Sequence, residues 1–134
     1  MTNFLAIDHI GYAVRDIEVT AKPYIDSGWT ISQIFIEEIQ KAKIAFLTKP
    51  GFTTIELVSP LYEGNSPVDR FLKNGGVQPY HICYVVENIM QAVEDLHEEN
   101  FMPLFWPVES VAMRDRKICY LYNENVGLLE IVNK

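Results

Sequence analysis

An internal repeat is the feature that most constrains the fold of this 134-residue chain. The matched blocks are "HIGYAV" at 9–14 with "HICYVV" at 81–86, "KIAFL" at 43–47 with "KICYL" at 117–121, and "TIELV" at 54–58 with "LLEIV" at 128–132. The first pair is offset by 72 positions and the other two by 74, so the second copy carries two extra residues after its helix. The shared order of the blocks favours duplication over chance similarity between strand-forming segments.

Each copy predicts a βαβββ unit. The predicted strands are 5–14, 30–38, 41–48 and 53–59 in the first copy and 79–86, 103–108, 115–121 and 127–133 in the second. The first helix begins after Asp16 as N-cap and ends near Gly28, and Pro23 is expected to kink or shorten it. The second helix lies within "ENIMQAVEDLHEEN", where Ile89, Val93 and Leu96 share one face.

A single α+β domain is therefore predicted, with repeat one at 5–60, a linker at 61–78 and repeat two at 79–134. The linker contains a short helix at 68–74 that Gly75-Gly76 ends. The two tandem modules are expected to form a curved, cup-like, eight-stranded mixed sheet with the helices on the outside.

The composition and charge of the chain argue against several classes of function and location. Eleven basic against 18 acidic residues give a net charge of −7, which argues against a nucleic-acid partner. No apolar run reaches the roughly 20 residues of a membrane helix. The N-terminal residues lack the pattern of a signal peptide, so a cytoplasmic location is expected. Cys83 and Cys119 lie in apolar strands and are interpreted as unpaired core residues.

Strand alternation places a polar residue opposite a bulky apolar face in four strands. His9 and His81 lie opposite isoleucine, tyrosine and valine side chains in the two first strands, and Glu56 and Glu130 interrupt the two last strands. The apolar faces should pack against the helices, which leaves the four polar residues on the concave side. A buried carboxylate is costly unless it is paired, and a shared cation would resolve that cost.

A single histidine on a strand is usually an ordinary core or surface residue. His9, Glu56, His81 and Glu130 together, at matched places in two copies, favour a divalent metal site. His97 has no counterpart in the repeat and is expected to face solvent on the second helix.

The paired βαβββ units with this His–Glu–His–Glu pattern resemble the vicinal oxygen chelate superfamily, which includes glyoxalases, bleomycin resistance proteins and dioxygenases. "DHIGYAVRDIE", "IELVSPL", "NSPVDRFLK" and "YHICYVVENI" look like blocks of methylmalonyl-CoA epimerases, and bacterial glyoxalase I-like proteins are also similar. The resemblance implies that the four residues bind one divalent ion (Co, Ni, Zn or Mn), and it implies a homodimer. Glu56 stands where epimerases carry glutamine and bacterial glyoxalase I carries glutamate.

The resemblance also implies a reaction class. The expected activity is that of a metal-dependent epimerase or isomerase that removes an α-proton through a metal-stabilised enolate, on an acyl-CoA thioester. Glu130 is expected to act as ligand and base, with Glu56 as its partner on the opposite face. A lactoylglutathione lyase of the glyoxalase I type, acting on a glutathione or other thiol adduct, and a non-catalytic small-molecule-binding protein stay open as alternatives.

Several basic residues outside the set of four predicted ligands (the tetrad of His9, Glu56, His81 and Glu130) have two possible roles. Lys43 and Lys117 are equivalent in the repeat, and Arg114 and Arg116 lie close by in sequence. They could contact a CoA phosphate or a glutathione carboxylate, but ordinary solvated charges are the simpler interpretation. Trp106 and the loop at 109–115 are candidates for the mouth of a pocket.

Overall fold

The computed structural model describes residues 2–62, 64 and 66–134, and it contains both predicted βαβββ copies. In chain order the elements are β1 (Ala6–Ala13), α1 (Ile17–Asp26), β2 (Thr30–Ile31), β3 (Phe35–Glu37), β4 (Ala42–Thr48), β5 (Thr54–Pro60), α2 (Pro67–Gly75), β6 (Gln78–Val86), α3 (Ile89–Glu98), β7 (Met102–Pro103), β8 (Val108–Glu109), β9 (Lys117–Asn123) and β10 (Gly127–Asn133). The α+β class, the order of the elements and the mixed sheet are confirmed.

Two of the eight predicted strands are each divided into two short segments, so the described chain has ten strands. In the first copy the Ser32 hydroxyl accepts the Phe46 N–H at 2.8 Å, in place of a backbone carbonyl, and separates β2 from β3. In the second copy, Pro103 ends β7 and Pro107 precedes β8. Proline lacks the N–H that a continuous ladder requires.

The helix ends follow the predicted capping chemistry. The Asp16 carboxylate accepts the Val19 N–H at 2.9 Å at the start of α1, and Gly76, with φ of 75°, ends α2. Pro23 does not shorten α1, which has ten residues like α3. The longest helices are therefore far shorter than a membrane span, and no helix among the described residues has the length and apolar character to cross a bilayer.

The chain forms two compact units. Unit 1 consists of the described residues up to His9 together with His81–Lys134, and unit 2 is Ile10–Tyr80. The chain thus passes between units inside β1 and again inside β6.

In unit 1 the strand order is β1, β6, β10, β9, β7, and β8 also pairs with β9. Strand β10 is parallel to β6 and antiparallel to β9. One face of this sheet packs on α3 through ten buried residues: Val86, Ile89, Ala92, Val93, Leu96, Phe101, Cys119, Leu121, Leu129 and Ile131. This is the helix-facing apolar face that strand alternation predicted, and it leaves the opposite face for polar residues.

In unit 2 the strand order is β1, β5, β4, β2, and β3 also pairs with β4. Its core joins α1 to the sheet through Val14, Ile17, Ala21, Ala45, Leu47 and Leu57, with partly buried aromatic residues around them. The face of β1 that carries Ile10, Tyr12 and Val14 was predicted to pack against the helices, and Tyr12 and Val14 belong to this cluster.

Candidate metal centre

Three predicted metal ligands come together inside unit 1. His9 lies on β1, His81 on β6 and Glu130 on β10, and these strands are neighbours in the order β1, β6, β10. All three residues are buried, with exposed fractions of 0%, 4% and 1%. The cluster therefore occupies the face of the sheet that does not pack on α3.

The three side chains aim one donor atom each at a common point. Nε2 of His9 lies 2.9 Å from Oε1 of Glu130, and Nε2 of His81 lies 3.0 Å from the same oxygen. The two Nε2 atoms are 3.4 Å apart. Ligands held about 2.1 Å from one ion are separated by roughly 3.0 to 3.4 Å in octahedral and tetrahedral sites. The observed spacing fits a divalent cation.

The chemistry of the donors supports the same fit. A carboxylate oxygen and an unprotonated ring nitrogen can each present an electron pair, so three such atoms about 3 Å apart favour a positive charge among them. A divalent cation can accept an electron pair from all three atoms at once. Imidazole and carboxylate together suit Zn, Co, Ni and Mn.

Neighbouring residues explain why these side chains converge. Glu130 pairs with Cys83 across β6 and with Tyr120 across β9. The small Cys83 side chain leaves room beside the carboxylate, and the Tyr120 ring packs edge-on against His81 at 5.2 Å between centroids. On either side of Glu130, Leu129 and Ile131 point into the core on α3. Strand alternation thus forces Glu130 towards the histidines.

Asp8, which no sequence pattern singled out, contacts the cluster from the other side of the His9 ring. Its Oδ2 lies 2.7 Å from Nδ1 of His9, and its Oδ1 accepts a hydrogen bond from Nη1 of Arg116 at 3.0 Å. Burial raises the pKa of the Asp8 carboxyl, but the hydrogen bonds and charges of His9 and Arg116 outweigh that effect and bring it below its ordinary value. Asp8 is therefore an anion at neutral pH.

The other residues that the sequence singled out lie outside the donor cluster. Lys43, Lys117 and Arg114 are exposed, whereas Arg116 is half-buried and bound to Asp8. Trp106 is 70% exposed. His97 is exposed on α3, as predicted. Cys83 and Cys119 are buried, also as predicted, and burial followed by the charge of Glu130 raises the pKa of Cys119 to about 12.

Glu56, the fourth predicted ligand, belongs to unit 2. It lies on β5 opposite Phe46 of β4 and is 3% exposed. Its neighbour Leu57 points into the core on α1. Alternation along β5 is thus the same as along β10, where Glu130 follows a core leucine and precedes a core isoleucine. The role of Glu56 as a ligand stays a prediction from the repeat.

Comparison with known proteins identifies the family. Residues 8–120 match the model of the glyoxalase/bleomycin resistance protein/dioxygenase superfamily. The chain belongs to this superfamily. The resemblance inferred from the repeated His and Glu blocks is confirmed.

Several superfamily members are similar over most of the chain. The ethylmalonyl-CoA/methylmalonyl-CoA epimerase of Cereibacter sphaeroides is 38% identical in an alignment of 96 residues, with a coverage of 69% of this chain and 69% of the relative. The mitochondrial methylmalonyl-CoA epimerase of Mus musculus is 32% identical over 90% of this chain and 67% of its own length. The fold is also that of a Streptomyces coelicolor methylmalonyl-CoA epimerase variant in complex with 2-nitronate-propionyl-CoA, with a TM-score of 0.83, 24% identity, and coverage of 98% and 99% of the two chains.

Proposed function

We propose that this chain is a metal-dependent epimerase that acts on an acyl-CoA thioester of the methylmalonyl-CoA type. The observation that carries the proposal is the convergence of His9, His81 and Glu130 in a chain that is 38% and 32% identical to two named epimerases. The acyl-CoA analogue bound by the Streptomyces coelicolor variant on the same fold supports the substrate class.

Four side chains would hold the metal in this proposal. His9, His81 and Glu130 have the geometry described above, and the sequence repeat supports Glu56 as the fourth. When bound, a divalent ion supplies Lewis-acid stabilisation of the negative charge that develops on the thioester oxygen. The burial of the three unit 1 donors excludes bulk water, which strengthens such electrostatic interactions.

Glu130 and Glu56 are the proposed bases. Epimerisation requires that a proton leave the α-carbon on one face and return on the other, so two carboxylates are a suitable pair. Glu130 accepts or returns the proton on one face, and Glu56 does so on the other. His9 and His81, whose Nε2 atoms lie 2.9 and 3.0 Å from the Glu130 carboxylate, would hold the ion beside this base.

A lactoylglutathione lyase is the second candidate. Glu56 favours it, because the resemblance places glutamate at that position in bacterial glyoxalase I and glutamine in epimerases. Both reactions begin with removal of an α-proton and differ in the carbon that receives it back.

The deciding experiment incubates the protein, loaded in turn with Co²⁺, Ni²⁺, Zn²⁺ and Mn²⁺, with methylmalonyl-CoA in D₂O. We expect deuterium at the α-carbon and loss of optical purity, and we expect no S-lactoylglutathione from methylglyoxal and glutathione. The Glu130→Gln variant should lose about 10³-fold in rate, within the range for removal of a general base. The exposed Glu98→Gln on α3 is the matched control and should keep the wild-type rate.

Two results would contradict the proposal. S-lactoylglutathione formation without deuterium exchange assigns the lyase activity instead. Metal binding with neither reaction assigns a binding protein. The implied homodimer is measured separately, by light scattering of the purified protein.

A further inference from the structure

The two histidines of the candidate centre are supported by different kinds of contact. The ring of His81 packs against Tyr120, as described above. The ring of His9 instead has a carboxylate on the side away from the donor cluster, with Asp8 Oδ2 2.7 Å from Nδ1. The His9 ring is therefore bounded by one carboxylate at each nitrogen, Asp8 at Nδ1 and Glu130 at Nε2.

We propose that Asp8 is a positioning residue for the metal centre, held in place by Arg116, and that it sets the tautomer in which His9 presents the Nε2 lone pair to a divalent ion. This inference rests on the metal-dependent reading of the proposed function. It concerns ligand orientation and adds a residue outside the predicted tetrad.

The contact between Asp8 and Nδ1 of His9 determines which ring nitrogen carries the hydrogen. A carboxylate oxygen only accepts hydrogen bonds, so a contact of 2.7 Å requires that Nδ1 bear the hydrogen and donate it. With the hydrogen of Nδ1 directed at Asp8, Nε2 is the ring nitrogen left to bind a divalent ion, and it lies 2.9 Å from Glu130 and 3.4 Å from the corresponding atom of His81. Carboxylates that accept from the second nitrogen of a metal-binding histidine fix its ring and raise its basicity.

Arg116 holds the Asp8 carboxylate in place. Its Nη1 donates to the other Asp8 oxygen at 3.0 Å, and its Nε donates to the backbone carbonyl of Asn133 at 3.0 Å. Asn133 is the last residue of β10, the strand that carries Glu130. The guanidinium therefore connects the Asp8 carboxylate to the strand of another donor, and each oxygen of Asp8 has its own directional partner.

Duplication alone does not account for this arrangement. At the repeat offsets of 72 and 74, the residue equivalent to Asp8 is Tyr80, and the residue equivalent to Arg116 is Ala42. Tyr80 packs against Phe71 at 4.9 Å between centroids, and Ala42 is buried. The second copy thus has no Asp–Arg pair at the equivalent positions, so His81 serves as the internal reference in the test.

The test measures metal affinity without substrate. Wild type, Asp8→Ala, Asp8→Asn and Arg116→Met are titrated with Co²⁺ and Zn²⁺ against a chromophoric chelator, and thermal unfolding establishes that each variant is folded. We expect Asp8→Ala to bind about 10 to 100 times more weakly. Asp8→Asn keeps an acceptor oxygen and should lose less. Arg116→Met should also lose affinity, and the Asp8→Ala/Arg116→Met double variant should be no weaker than Asp8→Ala, because Arg116 acts through Asp8.

A second readout follows the tautomer itself. In the Zn²⁺-loaded protein, ¹⁵N–¹H spectra of the three histidine rings, assigned with His9→Gln and His97→Gln, report which nitrogen carries hydrogen. The His9 ring should show Nδ1–H in the wild type and an altered Nδ1 signal in Asp8→Ala, while the His81 signal keeps its position. Asp26→Asn, which removes a carboxylate of the exposed Lys22–Asp26 pair, is the matched control and should leave both readouts unchanged.

A folded Asp8→Ala variant with wild-type affinity would overturn the inference, and so would a wild-type protein that binds neither ion. These outcomes do not depend on the epimerisation assay. A wild type that binds metal but exchanges no deuterium contradicts the proposed function and leaves the role of Asp8 supported by its own data.

Discussion

His81 Nε2 and Glu130 Oε1 lie 3.0 Å apart, on parallel neighbouring strands of one sheet. Both side chains project from the face opposite the α3 core, and both are almost fully buried. Because backbone pairing fixes the two strands relative to each other, the donor separation is set before any ligand binds. This preorganisation is the property that a metal centre requires.

Removal of one histidine should therefore abolish tight metal binding. We expect His81→Ala to bind Co²⁺ or Zn²⁺ at least about 100-fold more weakly, because one of the fixed donors is lost. Elemental analysis of protein purified without chelator should find less metal than in the wild type. His97→Ala, which changes the exposed histidine of α3, should retain the wild-type metal content. Equal metal content in both variants would contradict the site.

Metal should stabilise the folded protein. An ion present at about 100 times its dissociation constant stabilises the native state by about 2.7 kcal/mol if it does not bind the unfolded chain. At about 3 °C per kcal/mol for a chain of this size, the melting temperature should rise by roughly 8 °C. Scanning fluorimetry with and without Zn²⁺ measures the shift. The His9→Ala/His81→Ala variant should show none, and a shift in that variant would indicate binding elsewhere.

Both cysteines should resist thiol reagents in the native protein. Cys119 is fully buried, and burial followed by the charge of Glu130 raises its pKa to about 12, so only about one part in ten thousand is thiolate at pH 8. Cys83 is equally buried. A dithiobis-nitrobenzoate assay at pH 8 should count no reactive thiols in native protein and two in denaturant.

The sign of the Cys119 pKa shift also predicts how stability changes with pH. A raised pKa means that the folded state favours the neutral thiol, so this contribution to the free energy of unfolding is complete below about pH 9 and is lost as the pH rises towards 12.

In the thiol assay, Cys83→Ser should reduce the number of reactive thiols counted in denaturant from two to one. A thiol that reacts rapidly in the native wild type would contradict the burial of both residues.

The α3-packed core should depend strongly on Leu121. This side chain is 0% exposed and belongs to the cluster of β9, β10 and α3 residues. We expect Leu121→Ala to lower the free energy of unfolding by about 2 to 5 kcal/mol, through lost burial and a residual cavity. Chemical denaturation measures the change. Leu104→Ala, at a position that is 55% exposed, is the control and should change stability by about 0.5 kcal/mol or less.

The sequence repeat predicted most of the fold and the donor cluster because both follow from local periodicity. Alternation along "LLEIV" is enough to direct Glu130 away from Leu129 and Ile131, and the same rule applies to His9 and His81. The divided strands were not predictable in this way. The break between β2 and β3 depends on the Ser32 hydroxyl binding the Phe46 N–H, a contact between residues 14 positions apart.

Asp8 shows the limit of the same rule. Neighbours on an ideal strand point to opposite faces, so alternation separates Asp8 from His9. In the structure the Asp8 carboxylate nevertheless reaches Nδ1 of His9 and binds Arg116, which is 108 positions away. No short-range pattern relates those two residues, and from sequence an ordinary solvated charge was the simpler interpretation of Arg116.

Unit 1 is formed by two segments that are far apart in the chain, and this separation affects the order of folding. His9 comes from the start of the chain, whereas His81 and Glu130 come from its second half, and unit 2 is the intervening segment of residues 10–80. Bringing His9 to His81 closes a loop of 72 positions, at an entropic cost of about 4 kcal/mol beyond a constant term. Contacts of such long range form slowly relative to local ones. In a refolding experiment, the Co²⁺ absorption band would thus time the closing of this loop and would lag behind the collapse of either core.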